Sequence, residues 1–322
     1  MAHLGFQITS FTYPGVADAD LFEAVATIAV TAEASGFASL WVMDHFHQIA
    51  GVGEEDEPML EAYTTLAALA ALTSRVKLGA LVTGVVYRNP ALLAKVITTL
   101  DLISGGRAVL GIGASWFEDE ARAYGYDFPG VAERFGILED TLRICRAMFS
   151  ERRSSLTGSH ASVTNAFNVP GPLQEGGPQI LVGGGGERKT LRLVAEYDDF
   201  CNVFGDLDTV RRKLEILDGH CIDVGRDPAT ITKTRLGALI IDEDADRARR
   251  KLDEQANASP WGADAYRALA IAGDPDEIAA QARAYLDAGL DGLIVHMPST
   301  HDLKAIRLAG AALRRAATPP TA

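Results

Sequence analysis

Short apolar runs alternate along this chain with longer stretches in which apolar residues recur at helical spacing. The runs are almost continuously apolar, which is typical of parallel strands that helices cover on both faces. Strands are predicted near residues 4–10, 39–43, 76–82, 107–113, 179–183, 200–204, 234–241 and 292–297. Amphipathic helices are predicted near residues 20–35, 60–73, 90–103, 132–149, 187–196, 208–223, 244–255, 275–288 and 302–316.

A glycine follows several of the helical stretches just before the next predicted strand, at Gly36, Gly105 and Gly289. Glycine readily adopts the left-handed conformation that closes many helices, so each of these residues is a predicted C-cap. Eight strand–helix units in one chain predict an α/β fold. The fold is an eightfold parallel β/α (TIM) barrel, and it is expected to extend over residues 1–322 as a single domain.

Three segments interrupt this alternation of predicted strands and helices. Residues 46–59 follow strand two with glycine, acidic residues and proline, so they belong to the barrel face where active sites lie. Residues 151–178 are rich in glycine, proline and serine and follow a helix, so they start on the opposite face. Residues 256–273 are predicted to be irregular around Trp261.

Composition and charge narrow the possible partners. Of the 322 residues 48% are hydrophobic, and the formal net charge is −13 without any basic stripe, so nucleic acid and anionic membranes are poor partners. The three cysteines, Cys145, Cys201 and Cys221, form no CxxC motif and are expected to be reduced thiols. We expect neither a signal peptide nor a membrane-spanning segment, and we expect a cytoplasmic location.

Polar side chains follow several of the predicted strands, at the face of the barrel where active sites form. In "SLWVMDHFHQ" an apolar strand runs directly into Asp44 and His45, and His47 follows two positions later. The sequence therefore predicts a polar site at this end of the barrel. Further candidates are Thr83 and Gly84 after strand three, Ser115, Trp116, Glu118 and Glu120 after strand four, and His296 at the end of strand eight.

Four consecutive glycines, Gly183 to Gly186, follow predicted strand five and precede a predicted helix with Arg188, Lys189 and Arg192. Glycine lets a backbone approach a ligand closely, and a helix N-terminus offers unpaired N–H groups to an anion. The segment therefore predicts a phosphate site, although a tight strand–helix turn would also need some glycine. The spacing matches neither a dinucleotide-binding fingerprint nor a Walker motif.

The His45-Phe46-His47 triplet resembles the HxH metal pair of metal-dependent barrel hydrolases. Such a site needs further histidine and aspartate ligands at later strand ends, and only His296 stands at one. In those enzymes the pair also follows the first strand, whereas here it follows the second. We therefore expect no metal site.

Four segments carry a more specific resemblance to a known family. They are "WVMDHF", "LGALVTGVVYRNPALLAKVITTLDLISGGRAVLGIGASWFEDEARAYGYDFP", "ERFGILEDTLRI" and "QILVGGGGERKTLRLVAEYDDFCN". Together they resemble the luciferase-like monooxygenase superfamily of flavin and deazaflavin oxidoreductases, which has a bacterial-luciferase-like barrel. Within it they are most similar to the actinobacterial branch that uses coenzyme F-420, an 8-hydroxy-5-deazaflavin.

The resemblance implies a role for each matching residue. His45 would handle a proton near the reacting carbon of the cofactor, and Asp44 would either orient His45 or contact the edge of the ring. Leu81 and Val82 would form a bulge with a non-prolyl cis peptide behind the ring. The implied cofactor contacts are Asp44, His45, Leu81, Val82, Thr83, Gly113, Ala114, Gly183, Gly184, Gly185 and Gly186.

The sequence departs from the sugar-phosphate dehydrogenases of this branch at two positions. They have a carboxylate just after strand four and a tryptophan after the Asp-His pair, where this chain has Trp116 and Ile49. A sugar-phosphate substrate is therefore in doubt. Glu118 and Glu120 either take the place of the missing carboxylate or cap the next helix. Candidate substrate contacts are His47, Trp116 and Glu120.

The resemblance implies an oxidoreductase that moves a hydride between coenzyme F-420 and a small organic substrate, with substrate reduction as the expected direction. One alternative is an FMN-dependent luciferase-like monooxygenase, but the Asp-His pair favours the deazaflavin. A second alternative is a relative that binds a cofactor without turnover. A small-molecule substrate and a homodimer are the partners that the resemblance implies.

Overall fold

Parallel strands form a nearly closed barrel within residues 2–318, the part of the chain that our computed structural model describes. The strands are β1 (His3–Ile8), β2 (Ser39–Val42), β3 (Lys77–Ala80), β4 (Thr83–Gly84), β5 (Val109–Gly113), β6 (Arg153–Thr157), β7 (Ser162–Phe167), β8 (Gln179–Gly183), β9 (Phe200–Val203), β10 (Thr232–Ile241), β11 (Ile271–Gly273) and β12 (Gly292–His296). The helices are α1 (Leu21–Ala34), α2 (Ala62–Leu72), α3 (Pro90–Ser104), α4 (Glu118–Ala123), α5 (Val131–Ser150), α6 (Thr190–Tyr197), α7 (Leu207–Val224), α8 (Ala245–Ala258), α9 (Ala263–Leu269), α10 (Pro275–Asp287) and α11 (Leu303–Ala317).

The barrel wall runs in the order β3-β2-β1-β12-β10-β9-β8-β5-β4, and every neighbouring pair is parallel. An isolated bridge between Leu78 and Ala108 links β3 to β5 and closes the ring, with the Leu78 amide donating to the Arg107 carbonyl at 2.9 Å. The predicted barrel is thus confirmed, and all eight predicted strands lie in its wall.

A tryptophan fills the part of the barrel interior that lies away from the carboxyl ends of the strands. The Trp41 side chain is fully buried among Leu81, Val109, Leu181 and Phe200. A Cβ atom on Gly79 would lie 2.7 Å from the Trp41 ring, so the glycine in β3 is explained by this packing. Because this part of the interior is filled, the open space inside the barrel lies toward the carboxyl ends of the strands.

The helices begin and end where local chemistry favours it. Asn89 accepts hydrogen bonds from the first amides of α3, and Pro90 takes the first helical position. Gly105 closes this helix with a φ of +69°, as predicted for a C-cap. Gly36 and Gly289 also have positive φ directly after their helices.

Two predicted elements differ from the structure next to the site. The third strand is predicted over 76–82, but β3 covers only Lys77–Ala80, and β4 begins at Thr83, after the cis peptide between Leu81 and Val82. The helix expected over 187–196 begins only at Thr190, so a turn separates it from the glycine run.

The segment 151–178 contains an antiparallel hairpin, β6–β7, with Arg153 opposite Phe167. Asn168, which follows the hairpin, donates from Nδ2 to the Met148 carbonyl and to the Thr98 hydroxyl, so the segment packs on α3 and α5. None of its residues lines the cavity described below.

The expectation that 256–273 is irregular is wrong. The segment contains the end of α8, the short helix α9 and strand β11, and β11 extends the sheet by pairing with the outer half of β10. Elements of seven and three residues are too short to show a periodicity in the sequence.

The three cysteines are buried free thiols, as expected, and burial raises the pKa of Cys145 and Cys201 to about 12. Between residues 2 and 318 we find no helix with the length and apolarity that crossing a membrane requires.

Candidate active site

A cavity of about 700 Å³ opens at the carboxyl ends of the strands. Its wall includes every residue that the sequence resemblance assigned to a cofactor, from Asp44 and His45 through Leu81–Thr83 and Gly113–Ala114 to Gly183–Gly186. These residues come from four separated stretches of the chain, and the barrel brings their strand ends together. The volume lies within the range of about 300–1,000 Å³ typical of small-molecule sites.

His45 lies directly after β2 and is held by a carboxylate from α4. Its Nδ1 atom is 3.0 Å from Oε2 of Glu120, whose side chain is 0% exposed. The rings of Trp116 and Phe117 flank the imidazole, with centroids 5.6 and 5.9 Å from it. The imidazole is therefore fixed by one hydrogen bond and two edge-on aromatic contacts.

Glu120 is surrounded by hydrogen-bond donors. Besides His45 they are the Phe46 amide at 2.6 Å, the His47 amide at 3.2 Å and the Tyr87 hydroxyl. Burial by itself would raise the pKa of Glu120, but these hydrogen bonds outweigh it and hold the pKa below its usual value. An ionised carboxylate can only accept, so His45 must donate from Nδ1, and Nε2 is left to exchange a proton.

Asp44 forms an ion pair with Arg88 from the loop after β4. The guanidinium contacts both carboxylate oxygens, at 2.5 and 2.9 Å, and also reaches Glu61 at 2.7 Å. Burial raises the pKa of Asp44 to about 6, against the lowering effect of Arg88. The first of the two roles considered for Asp44, orienting His45, therefore falls to Glu120.

The wall beside His45 is formed by the bulge between β3 and β4. The predicted non-prolyl cis peptide is present between Leu81 and Val82, and the Gln7 side-chain amide donates to the Leu81 carbonyl at 3.1 Å. The Thr83 hydroxyl shares a buried hydrogen bond with the Tyr63 hydroxyl. The bulge thus presents two apolar side chains and one hydroxyl to the cavity.

The glycine run forms one corner of the cavity. A Cβ atom on Gly183 would lie 2.6 Å from Val82, and Gly184 has a φ of +140°, so packing and backbone conformation account for these two. Gly185 has no such steric reason. A Cβ atom there would lie 3.5 Å from the ammonium nitrogen of Lys213, a side chain that is otherwise buried and donates to the Phe204 carbonyl at 3.0 Å.

The three basic residues after the glycine run are placed differently from Lys213. Arg192 pairs with Glu196 on the outside of α6, and the Lys189 ammonium lies over the Phe135 ring. Neither these two residues nor Arg188 lines the cavity. The ammonium group beside Gly185 therefore comes from α7, which the sequence did not indicate.

The three residues predicted to contact the substrate differ in their position relative to the cavity. Trp116 lines the cavity. Glu120 does not: it lies behind His45, enclosed by its donors, so the expected direct substrate contact is corrected to a contact through His45. His47 also lies outside the lining, in the loop 46–59, with Nδ1 3.3 Å from Glu55. Across residues 2–318 no three His, Cys, Asp or Glu side chains come together to hold a metal ion.

Sequence reasoning missed Arg88, Tyr87 and Lys213. The first two stand within the quoted motif "VVYRNP", and a buried Asp44 requires a cationic partner, so Arg88 was open to prediction. Lys213 is one of several basic residues along α7, and no local signal distinguishes it from Arg211 or Arg212. His296 also lines the cavity, and burial together with Arg235 lowers its pKa to about 4.

Comparisons with known proteins agree on one family. The sequence model described as luciferase-like monooxygenase matches residues 6–292. The F-420-dependent glucose-6-phosphate dehydrogenase of Kineococcus radiotolerans is 29% identical over 306 residues, which cover 85% of this chain and 87% of that protein. The enzyme of the same name from Nocardia farcinica is 30% identical over 312 residues, covering 85% and 88%.

Solved structures show the same architecture. An F-420-dependent secondary alcohol dehydrogenase, in complex with an F-420–acetone adduct, superposes with a TM-score of 0.82 over 98% of this chain and 99% of that one. The two sequences are 20% identical, so this likeness shows the shared barrel fold.

Proposed function

The chain belongs to the luciferase-like monooxygenase family, and from this premise we propose that it is an oxidoreductase that transfers a hydride between coenzyme F-420 and a small organic substrate. The observation that carries the proposal is that one cavity holds both His45, oriented by Glu120, and the glycine corner beside Lys213. The relatives that are about 30% identical bear F-420 in their names, which supports the deazaflavin over FMN.

The residues present fit this cofactor. A phosphate monoanion or dianion suits the corner where Gly184–Gly186 expose backbone and Lys213 supplies a buried cation. A flat heteroaromatic ring suits a wall made of Leu81, Val82 and the small residues Gly113 and Ala114. We propose that Thr83 and Asp44 hold the polar edge of the ring.

When bound, reduced F-420 supplies a hydride from a carbon that stands where a flavin has nitrogen. The protein supplies the proton and the geometry. His45 holds or releases a proton at Nε2, because Glu120 fixes the hydrogen on Nδ1. Trp116 and Phe117 keep water from one side of the imidazole. We propose that the direction is reduction of the substrate.

We expect the purified protein to bind F-420 with a dissociation constant in the micromolar range or below, and to bind FMN more weakly. Parallel titrations followed by cofactor fluorescence measure both constants. A preference for FMN would overturn the proposal in favour of the monooxygenase alternative, and binding of neither cofactor would point to a non-catalytic relative.

Gly185→Asp tests the phosphate corner within the same assay. The variant places a carboxylate beside the proposed phosphate and opposite Lys213, so we expect affinity for F-420 to fall about tenfold or more through like-charge repulsion. Gly219→Asp makes the same change of charge at an exposed position of α7 and is expected to leave the affinity unchanged.

Glu120→Gln is expected to lower kcat about tenfold, because an amide cannot accept from all the donors that surround this carboxylate. Because the amide lacks the charge of the carboxylate, the pH profile of kcat/KM should also change, which a merely structural role would not produce.

Glu118→Gln is the matched control on the same helix. Glu118 is exposed and pairs with Arg122 at 2.7 Å, so its removal should alter neither kcat nor the pH profile. An unchanged profile in the Glu120 variant, or an equal effect in both variants, would remove Glu120 from the role of positioning residue.

We further propose that the chain acts in the cytoplasm as a homodimer and forms one domain over residues 1–322. The observation in favour of a dimer is the apolar surface that Leu72, Leu92 and Ile103 expose on α2 and α3.

A further inference from the structure

Aromatic side chains from separate loops surround the mouth of the cavity. Trp116 and Phe117 come from the loop after β5 and stack with centroids 5.0 Å apart. Trp261 comes from the loop between α8 and α9, and its ring packs on Gly51 of the loop 46–59, where a Cβ atom would lie 2.8 Å away. Trp116 is 62% exposed and Trp261 57% exposed, so an apolar ligand between them would remove a large aromatic surface from water.

The cavity lining within residues 2–318 carries no permanent positive charge that a substrate could meet. Among the lining side chains within residues 2–318 there is no lysine or arginine. The one lining carboxylate, Asp44, is already paired with Arg88. His296 is buried and neutral at physiological pH, because burial lowers its pKa to about 4.

Two of the cations just outside the wall, Arg134 and Arg235, are bound to backbone carbonyls. Arg134 donates to Ala114 at 3.0 Å and to Pro129 at 2.5 Å. Arg235 donates to Gly205 at 2.8 Å and to Leu269 at 2.6 Å, with its guanidinium over the Tyr285 ring. Lys189 lies over the ring of Phe135 and outside the lining, and Lys213 belongs to the glycine corner that the proposed cofactor phosphate occupies. A second phosphate or a carboxylate would therefore be desolvated in this cavity without a counter-charge.

Both side-chain amides on the cavity wall are already hydrogen-bonded within the protein. The Gln7 amide is bound to the Leu81 carbonyl at 3.1 Å, and the Asn202 amide is bound to the Thr234 hydroxyl at 2.9 Å. The hydroxyl groups of Thr9, Ser115 and Tyr266 also belong to the lining, whereas Trp116, Trp261 and Leu236 offer apolar surface to a ligand.

We propose that the substrate is an uncharged compound with an aromatic or alicyclic body and a single carbonyl group as its reacting end. The inference rests on the proposed function, since it assigns the glycine corner to F-420. It departs from the relatives named glucose-6-phosphate dehydrogenase, because the dianion of a sugar phosphate finds no lysine or arginine side chain among the lining residues.

A matched pair of ligands tests the charge requirement. 2-Acetylnaphthalene and 6-acetyl-2-naphthoate share one ring system and one ketone and differ in a single carboxylate. Calorimetric titration of the protein saturated with oxidised F-420 should give binding of the neutral ketone at least about tenfold tighter than that of the anion, and no heat with glucose 6-phosphate.

Variants at the mouth test the site. Trp116→Ala and Trp261→Ala should each weaken binding of 2-acetylnaphthalene several-fold and leave the affinity for F-420 unchanged. Ile222→Ala, which removes an exposed apolar side chain from α7, should change neither. Ala265→Lys adds a cation at an exposed, cavity-lining position of α9 and should tighten binding of the naphthoate.

Tighter or equal binding of the anionic ketone, binding of glucose 6-phosphate, or no binding of the neutral ketone overturns the inference. The proposed function is judged separately, from the F-420 titration. Failure to bind F-420 would therefore refute the proposed function, whereas F-420 binding without selectivity for the neutral ketone would refute the substrate class alone.

Discussion

Replacing His45 by alanine is expected to lower kcat by about 10²- to 10⁴-fold, the contribution usual for a positioned general acid or base. Cofactor affinity should stay nearly unchanged, because the glycine corner and the β3–β4 bulge, which we assign to the phosphate and the ring of the cofactor, do not include His45. Steady-state kinetics with F-420 and an uncharged ketone, together with the F-420 titration, separates the two effects.

The matched control is His160→Ala. His160 is exposed in the turn between β6 and β7, outside the cavity, so this variant should retain full turnover. If the His45 variant also retained turnover, the proton would have to come from another group, and the catalytic assignment of His45 would fail. If it lost F-420 binding instead, His45 would be a cofactor contact only.

Replacing Arg88 by methionine is expected to destabilise the protein by about 3–5 kcal/mol, since it leaves Asp44 buried without its counter-charge. The loss should depend on pH. Burial already raises the pKa of Asp44 to about 6 in the folded protein, and removing the guanidinium raises it further. An acid with a raised folded pKa stabilises fully below its unfolded pKa, and that contribution is lost as the pH rises through the folded pKa.

The difference in stability between wild type and the Arg88 variant should therefore grow between pH 6 and pH 8. In this pH range the protonated Asp44 of the wild type no longer adds to the free energy of unfolding, whereas in the variant its contribution to that free energy is still falling. Urea unfolding at both pH values measures the difference.

Arg122→Met is the control for this experiment. It breaks the exposed pair with Glu118 and should change stability by less than about 1 kcal/mol at either pH. Adding Asp44→Asn to the Arg88 variant removes the buried charge and should abolish the growth with pH. A constant deficit in the single variant would show that lost packing, and not the unpaired carboxylate, accounts for the destabilisation.

The strand and helix order was predictable because each barrel strand is covered on both faces and each outer helix on one. Burial on both faces produces continuous apolar runs, and burial on one face produces helical periodicity. Both patterns remain recognisable when a single residue deviates from them. The short elements escaped prediction: α4, α9 and β11 span too few residues to carry a period. The hairpin β6–β7 is mostly exposed, so it lacks the apolar pattern of the barrel strands.

The site was only partly predictable from the sequence. Motifs that carry the family resemblance identified the stretches that reach the cavity, from Asp44 to Gly186, because each lies at the end of a predicted strand. The partners of these residues were not identified. His45 and Glu120 are 75 positions apart, and Asp44 and Arg88 are 44 apart, so their pairing depends on which strands lie side by side.

The sequence by itself determined the barrel, its family and the strand ends that carry the site. The tertiary structure decided which charged groups meet there. Glu118 and Glu120 are both acidic and lie on the same short helix. Residues that are two positions apart in a helix point to nearly opposite sides of it. Only the packing of α4 against the loop after β2 turns Glu120 toward His45 and leaves Glu118 in solvent with Arg122.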